Sequence, residues 1–169
     1  MNKRRKLLVV VWAALTMTTA AAAEYPTKPI RLIVPSAAGG TPDINARLLA
    51  AELSKQMGRQ VVVDNRGGAS GIVGCEMIAR AEPDGYTLGF AGFPFITNPL
   101  MYAKLPYDTA QDFQPVVRLF SITNVMTLTP ALPVRSVQEL IEYARAQPGK
   151  LSYGSAGAGT SQQLSLELF

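Results

Sequence analysis

The apolar positions of this chain form short continuous runs that alternate with stretches of helical spacing. Residues 30–34 make a short apolar run bounded by prolines, which is typical of a strand covered on both faces. Residues 43–57 carry apolar side chains at helical spacing as far as Gly58, and residues 60–64 make a β-branched run. A predicted helix over 72–81 and a predicted strand over 86–90 follow. This β-α-β-α-β order favours an α/β fold with a mostly parallel sheet and flanking helices.

The pattern changes after residue 90. Residues 92–99, rich in aromatic, Pro and Asn residues, predict a loop at the sheet edge where α/β proteins bind ligands. Two β-rich runs, 116–120 and 124–128, predict strands that cross towards another lobe. Ser136 and Glu139 form a capping box, which predicts a helix as far as Ala146. Residues 151–153 predict a further strand, and 162–169 a further helix.

Two segments share one design, in which a β-run leads into a Gly-rich turn and then into a helix start. A helix start built from bare backbone has unpaired N–H groups and a partial positive charge, which favour a carboxylate or phosphate. Two such starts facing each other would hold an anion, and this points to binding more than to catalysis. The candidate ligand-binding residues of the two turns are Ser36, Ala37, Ala38, Gly39, Gly40, Asp43, Ser155, Ala156, Gly157, Ala158, Gly159, Thr160 and Ser161.

Several of these side chains have two interpretations. Asp43 either complements the helix dipole, or has a functional role in which it accepts a hydrogen bond from a ligand or fixes the loop. Thr160 and Ser161 are either helix caps or hydroxyl donors to a ligand. Phe93 and Phe95 form either an apolar pocket wall or ordinary core, and the core interpretation is favoured for Phe95.

Known nucleotide-binding motifs do not match, and no cofactor is predicted. The first turn lacks the G-K-[ST] of a P-loop, and Gln162 stands where the second turn would need its third glycine for G-x-G-x-x-G. The G-x-x-G-x-x-G spacing of residues 68–74 fits neither motif. The sequence contains no histidine, so Ser–His–Asp and Cys–His nucleophilic sites are excluded and the commonest metal ligand is missing. The single cysteine, Cys75, is predicted to be a buried helical thiol.

The first 23 residues are typical of a secretory signal peptide. A basic start precedes a short apolar core over 7–15 and an A-x-A site that predicts cleavage after Ala23. Four of the 16 Lys and Arg residues lie in this segment, which leaves 12 against 12 Asp and Glu. A mature chain without basic excess has no electrostatic footprint for nucleic acid. We therefore expect an exported, periplasmic protein with no nucleic-acid partner.

Taken together, these segments resemble the periplasmic substrate-binding proteins of tripartite tricarboxylate transporters, also called the Bug receptor family. The resemblance runs in order through the whole predicted mature chain. Its matching stretches are Tyr25-Pro26-Thr27-Lys28-Pro29-Ile30-Arg31-Leu32-Ile33-Val34-Pro35, Gly39-Gly40-Thr41-Pro42-Asp43, Ala46-Arg47, Val61-Val62-Val63-Asp64-Asn65-Arg66, Pro83-Asp84-Gly85-Tyr86-Thr87-Leu88, Asn98-Pro99-Leu100, Leu105-Pro106-Tyr107-Asp108, Pro148-Gly149-Lys150-Leu151 and Tyr153-Gly154-Ser155.

The resemblance implies a type II periplasmic-binding-protein fold, with two α/β lobes that close around a ligand. It implies that the turns over 36–40 and 155–161 hold a small organic carboxylate, and that membrane transporter subunits are partners. It divides the chain into a signal peptide over 1–23, a first lobe over 24–123 and the start of a second lobe over 124–169. Family members are longer, so we expect a truncated receptor. Gln163 stands where many members have His.

Two other function classes stay open at this stage. The same binding lobe would serve as a ligand-sensing module for a signalling partner. A hydrolase would use Ser36 or Ser155, but neither serine has a G-x-S-x-G setting, so no catalytic residue is assigned. The sequence does not choose the ligand among dicarboxylates, tricarboxylates, amino acids and aromatic acids.

Overall fold

The computed structural model describes residues 25–169. The predicted signal peptide and its cleavage site lie outside these residues. The described residues contain a 3₁₀ turn, Ala69–Gly71, and the following strands and helices: β1 Ile30–Val34, α1 Thr41–Met57, β2 Val61–Asn65, α2 Ile72–Ala79, β3 Thr87–Gly89, α3 Phe93–Met101, α4 Val137–Ala146 and α5 Ser161–Leu168.

The three strands form one parallel sheet in the order β2-β1-β3, which confirms the α/β fold class predicted from the sequence. Ile30 is in register with Val61, and Ile33 with Gly89. Four of the five residues of the central strand β1 are buried, as its apolar run predicts. Because all three strands are parallel, their carboxyl ends meet at one edge of the sheet.

Helix α1 covers one face of the sheet and closes the main core. Its small side chains Ala46 and Ala50 are buried together with apolar residues of β1 and β2 and with Phe90. The helix begins two residues before the predicted start. Gly40 is the extended N-cap and Pro42 occupies the first turn, where a missing N–H costs nothing. It ends at Gly58, which adopts the left-handed conformation (φ +63°) that its position at the end of the apolar pattern predicts.

The glycines at the start of α2 have a packing role. A Cβ at Gly71 would lie 2.8 Å from the carbonyl oxygen of Pro35, and a Cβ at Gly74 would lie 2.6 Å from that of Arg66. The glycine spacing that fits no nucleotide motif is therefore explained by close backbone approach between α2 and the segments after β1 and β2. Cys75, one residue further on, is buried and unbridged as predicted, and burial raises the pKa of its thiol.

The predicted loop over 92–99 is wrong, because residues 93–101 form helix α3. Pro94 lies in the first turn, where a missing N–H does not weaken the helix. Pro99 removes one internal hydrogen bond, but the buried side chains of Thr97 and Asn98 attach the helix to its neighbours. The buried residues of this helix are polar, so hydrophobic periodicity did not predict it.

The strands predicted over 116–120, 124–128 and 151–153 are also wrong, since the described structure has no strand in these segments. β-rich sequence forms a strand only where a neighbouring strand is available to pair with it. Val116 and Val125 are instead 83% and 81% exposed.

The Ser136 cap predicted before α4 is confirmed, and Glu139 returns to the backbone at Arg135, one residue before the N-cap. The Glu139 N–H donates to Ser136 Oγ (3.2 Å), and the Glu139 carboxylate accepts from the Arg135 N–H (2.6 Å). Helix α5 confirms the predicted helix over 162–169 to within one residue at each end. Among residues 25–169, the helices are all too short or too polar to cross a membrane.

Candidate functional site

Three chain segments leave the sheet at its carboxyl edge. Residues 36–40 follow β1, residues 66–71 follow β2, and α3 begins shortly after β3. This edge is where open α/β sheets bind their ligands. The first predicted Gly-rich turn, here called the first loop (36–40), therefore lies where a ligand site is expected.

Asp43 fixes the conformation of the first loop. Its side chain is 3% exposed, and Oδ2 accepts the Gly39 N–H at 2.8 Å. Its Oδ1 lies 2.9 Å from the Nε of Arg47, one helical turn further on. The Gly39 N–H, and then the Arg47 guanidinium, hold the pKa of Asp43 below its usual range. Both carboxylate oxygens are thus engaged within the protein, which supports the loop-fixing role among the alternatives left open by the sequence.

The segment after β2 supports the first loop from the side. Arg47 Nη2 donates to Asn65 Oδ1 at 3.1 Å, and Asn65 Nδ2 donates to the Ser36 carbonyl at 3.5 Å. A Cβ at Gly67 would lie 3.0 Å from the backbone nitrogen of Ala37, so the two backbones are in close contact. The first loop is therefore held at both ends of its backbone.

The start of α1 has free donors. Among residues 25–169, no acceptor takes the N–H of Thr41 or Asp43, and Pro42 has none. The loop residues before this helix start are small and exposed at Ala37, Ala38, Gly39 and Gly40. Unpaired N–H groups at an accessible helix start favour an anion.

The second predicted turn, here called the second loop (155–161), repeats the geometry of the first. The Gly159 N–H donates to Gln163 Oε1 at 2.8 Å, four residues on, as the Gly39 N–H donates to Asp43. Both glycines have positive φ, +83° at Gly39 and +74° at Gly159. The two loops thus share one backbone design, closed by a carboxylate in the first and by a neutral amide in the second.

Thr160 and Ser161 differ in their roles. Thr160 Oγ1 donates to the Gly157 carbonyl (2.7 Å) and accepts the Gln163 N–H (3.4 Å), so Thr160 caps α5. Ser161 Oγ donates to Asn124 Oδ1 at 3.2 Å. Within the described chain, the first-turn N–H groups of Ser161 and Gln162 have no acceptor.

The remaining candidates of the second loop lie on the surface. Ser155, Ala156, Gly157 and Ala158 are exposed, and Ser155 Oγ accepts the Gly157 N–H at 3.3 Å. Gly157 has a φ of +117°, a conformation that favours glycine. The second loop therefore presents small residues and first-turn N–H groups, as the first loop does.

Helix α3 joins the loops, and sequence reasoning missed its contribution. Thr97 Oγ1 donates to the Gly159 carbonyl at 2.8 Å, and Asn98 Nδ2 donates to the Ser70 carbonyl at 3.1 Å. A continuous path of contacts therefore runs from the first loop through residues 66–71 and α3 to the second loop. The sequence signal for these contacts was the pair of polar residues Thr97 and Asn98 next to Pro99. A predicted loop does not say in which direction such side chains point, so the contacts could not be predicted.

Phe93 and Phe95 have different environments. Phe93 begins α3 at the carboxyl edge and is half exposed. Phe95 is half-buried and packs edge-on against Phe113, with 4.8 Å between ring centroids, which favours the core interpretation. Two shallow cavities, of about 460 Å³ beside Arg31 and about 640 Å³ beside Tyr107, contain no residue of either loop. Across residues 25–169, no group of three or more His, Cys, Asp or Glu residues is placed to hold a metal ion.

Comparison with known proteins connects this architecture to one family. Residues 45–169 match the family model described as the tripartite tricarboxylate transporter family receptor. The chain is 36% identical, over 98% of its length, to the UPF0065 protein in the tcbD-tcbE intergenic region of Pseudomonas sp. (strain P51), of which it covers 50%. It is 34% identical to protein BugT of Bordetella pertussis, over 100% of the chain and 53% of that protein.

Solved structures show the same similarity. The structure of R. palustris Rpa4515 with adipate matches with a TM-score of 0.78 and 43% identity, over 85% of this chain and 48% of that one. The periplasmic binding protein BugD matches with a TM-score of 0.67 and 31% identity, over 85% of this chain and 50% of that one. The chain spans about half the length of the curated relatives it matches.

Proposed function

The chain belongs to the tripartite tricarboxylate transporter receptor family, and on that premise we propose that it carries the ligand-binding loops of an exported receptor for a small organic carboxylate. The family is one of binding proteins. The receptor is proposed to act in the periplasm and to deliver its ligand to membrane transporter subunits. The predicted signal peptide and the periplasmic relatives support this location.

The observation that carries the proposal is the paired loop design. Each Gly-rich loop ends at a helix start with two N–H groups that have no acceptor among the described residues, those of Thr41 and Asp43 in the first and those of Ser161 and Gln162 in the second. In each loop, a side chain four residues further on takes up the glycine N–H, so the turn is formed before any ligand arrives. Preformed N–H donors without an internal acceptor suit a carboxylate, and a hydrogen bond to a charged group contributes about 1.5–3 kcal/mol.

The charge of Asp43 does not oppose this function. A carboxylate near an anion site would repel the ligand if it stood alone, but Arg47 pairs with it at 2.9 Å. The helix dipole and the free N–H groups of Thr41 and Asp43 therefore act on a locally neutral background. The relative solved with adipate supports a dicarboxylate as the first ligand to test.

Calorimetric titration tests the ligand class. Protein expressed from the complete gene is titrated with adipate and, in parallel, with adipamide, which has the same length and no charge. We expect saturable binding of adipate and none of adipamide. Equal binding of both compounds would contradict carboxylate recognition.

Glycine variants test the loops. Gly39 and Gly157 have positive φ with open space around them, so Gly39→Val and Gly157→Val strain the backbone without filling a packed site. Left-handed backbone costs a non-glycine residue roughly 1–2 kcal/mol, so we expect adipate affinity to fall about 5- to 30-fold. Lys55→Ala, an exposed change in the last turn of α1, is the control and is expected to leave affinity unchanged. Equal affinity in all three variants would exclude the loops from the site.

A further inference from the structure

One buried hydrogen bond connects the two parts of the chain that the sequence assigns to different lobes. Thr97 Oγ1 donates to the Gly159 carbonyl at 2.8 Å, and both residues are buried. Within the described structure, this is the only hydrogen bond between residues 25–123 and residues 124–169. This hydrogen bond therefore attaches the second loop to α3.

Both polar backbone groups of Gly159 take part in hydrogen bonds, and the residue lies close to α3. Its N–H donates to Gln163 while its carbonyl accepts from Thr97, so both polar backbone groups are engaged. A Cβ at this position would lie 3.0 Å from Met101 Sδ and 3.1 Å from Thr97 Oγ1, and the residue has a φ of +74°. A larger residue at this position would strain the backbone and press against Met101 and Thr97, so the arrangement favours glycine.

The Thr97 hydroxyl has alternatives on its own helix and makes a shorter bond to Gly159. Its Oγ1 lies 3.5 Å from the Phe93 carbonyl and 3.4 Å from the Pro94 carbonyl, the usual partners of a threonine inside a helix. Both distances are long compared with 2.8 Å to Gly159. The next residue, Asn98, is fully buried and attaches the same helix to the Ser70 carbonyl. Helix α3 is therefore anchored on one side and holds the second loop on the other.

We propose that Thr97 is a positioning residue that fixes the second loop against α3 and so sets its geometry relative to the first loop. The hydroxyl acts through the Gly159 backbone and does not contact the ligand. The effect on ligand affinity rests on the proposed function, whereas the effect on loop order does not.

Hydrogen exchange of the ligand-free protein tests the positioning role without a ligand. Thr97→Val keeps the shape and removes the hydroxyl, Thr97→Ser keeps the hydroxyl, and Thr123→Val is the control because Thr123 is exposed and its hydroxyl makes no hydrogen bond within the described residues. A neutral hydrogen bond contributes about 0.5–1.5 kcal/mol, so we expect amide exchange at Gly159, Thr160 and Gln163, whose N–H groups are hydrogen-bonded, to rise about 2- to 12-fold in Thr97→Val. Exchange in β1 should stay unchanged, and Thr97→Ser and Thr123→Val should resemble the wild type.

Wild-type exchange at Gly159, Thr160 and Gln163 in Thr97→Val would overturn the proposal. If Thr97→Val does not fold, Thr97→Ala takes its place with the same readout, because it removes the hydroxyl without adding a methyl group.

Adipate titration distinguishes the positioning role of Thr97 from the proposed binding of a carboxylate. We expect Thr97→Val to weaken adipate binding by a similar 2- to 12-fold, mainly through faster dissociation, with recovery in Thr97→Ser. If the wild type binds no adipate, the ligand assignment fails while the exchange result still decides the role of Thr97. If adipate binds equally well to the wild type and to a Thr97→Val protein with faster exchange, Thr97 does not set the ligand geometry.

Discussion

At the residue scale, the carboxylate of Asp43 both fixes the first loop and carries a charge in the first turn of α1. Its carboxylate accepts the Gly39 N–H and pairs with Arg47, and both contacts are made by the charged form. The pKa of Asp43 is therefore lowered in the folded protein. A lowered folded-state pKa gives stability that is complete above the unfolded pKa, near 3.9, and lost as pH falls through the folded pKa.

Asp43→Asn is expected to destabilise the protein in a pH-dependent way. Asparagine retains an acceptor for the Gly39 N–H but loses the ion pair with Arg47. Urea denaturation should show a lower free energy of unfolding for the variant at pH 7, and this difference should shrink below about pH 4. The pKa values of Asp64 and Asp84 are also lowered. Their contributions to the pH dependence of stability cancel in this comparison, because the wild type and the variant both contain them.

The exposed change Glu82→Gln is the control for Asp43 and should have no such effect. A difference between wild type and Asp43→Asn that stays constant down to pH 3 would contradict the role of the charge.

Gly74→Ala tests close backbone packing at a single residue. In an ordinary helix this change stabilises by about 1 kcal/mol. Here the new Cβ would lie 2.6 Å from the Arg66 carbonyl and 2.8 Å from Pro35 Cα, so we expect destabilisation of about 1–3 kcal/mol. Chemical denaturation measures the change. Gly154→Ala has no neighbour within 4 Å and serves as the control. A stabilised Gly74→Ala protein would show that α2 can move away from the loops.

At the element scale, the sequence predicted the elements whose signal is local. β1, α1, β2, α2 and β3 were recovered because apolar runs, helical spacing and terminal glycines are properties of neighbouring residues. The strands expected over 116–128 failed because strand formation depends on a partner that local sequence does not encode. The position of both loops along the chain was predictable because a glycine-rich turn before a helix start is also a local signal.

Helix α3 shows what local patterns could not provide. Its helical state depends on buried polar contacts made by Thr97 and Asn98 with segments distant in sequence. The pairing of Gly159 with Gln163 and Thr97 likewise appears only once the chain is folded. Sequence reasoning therefore predicted the two Gly-rich loops and their helix starts but missed the helix that connects them.

The anchor of α3 gives an element-scale prediction. Asn98→Ala removes the donor to the Ser70 carbonyl and leaves that carbonyl without this partner. We expect a loss of about 1–3 kcal/mol in the free energy of unfolding and faster amide exchange over 66–71. Gln138→Ala, which removes an exposed contact between neighbouring turns of α4, is the control. Unchanged exchange over 66–71 would show that Asn98 does not anchor the helix.

At the scale of the whole molecule, the segment over 116–128 is an extended apolar surface. Val116, Val117, Ile122 and Val125 are each more than three-fifths exposed, and no strand pairs with the segment among the described residues. Exposed apolar surface with free backbone groups favours association between chains. Residues 24–169 expressed alone should therefore associate with increasing concentration and show no measurable saturable binding of adipate.

A matched pair of lysine variants tests the cause of this association. Val125→Lys removes an exposed apolar side chain and adds a charge, whereas Thr127→Lys adds the same charge without removing an apolar group. Sedimentation should show a larger reduction of association with Val125→Lys. Equal effects would assign the change to net charge, and a monodisperse wild-type segment whose melting temperature rises with adipate would contradict the prediction.

The helix starts of both loops are proposed to bind a carboxylate through their free N–H groups. The most direct measurement is an NMR titration of ¹⁵N-labelled protein, expressed from the complete gene, with adipate. The amide signals of Thr41, Asp43, Ser161 and Gln162 are predicted to shift downfield together and saturate with one Kd, while the amide of Lys55 stays in place and adipamide has no effect. Shifts confined to other regions, such as the cavity beside Arg31, or to one loop alone, would contradict the account.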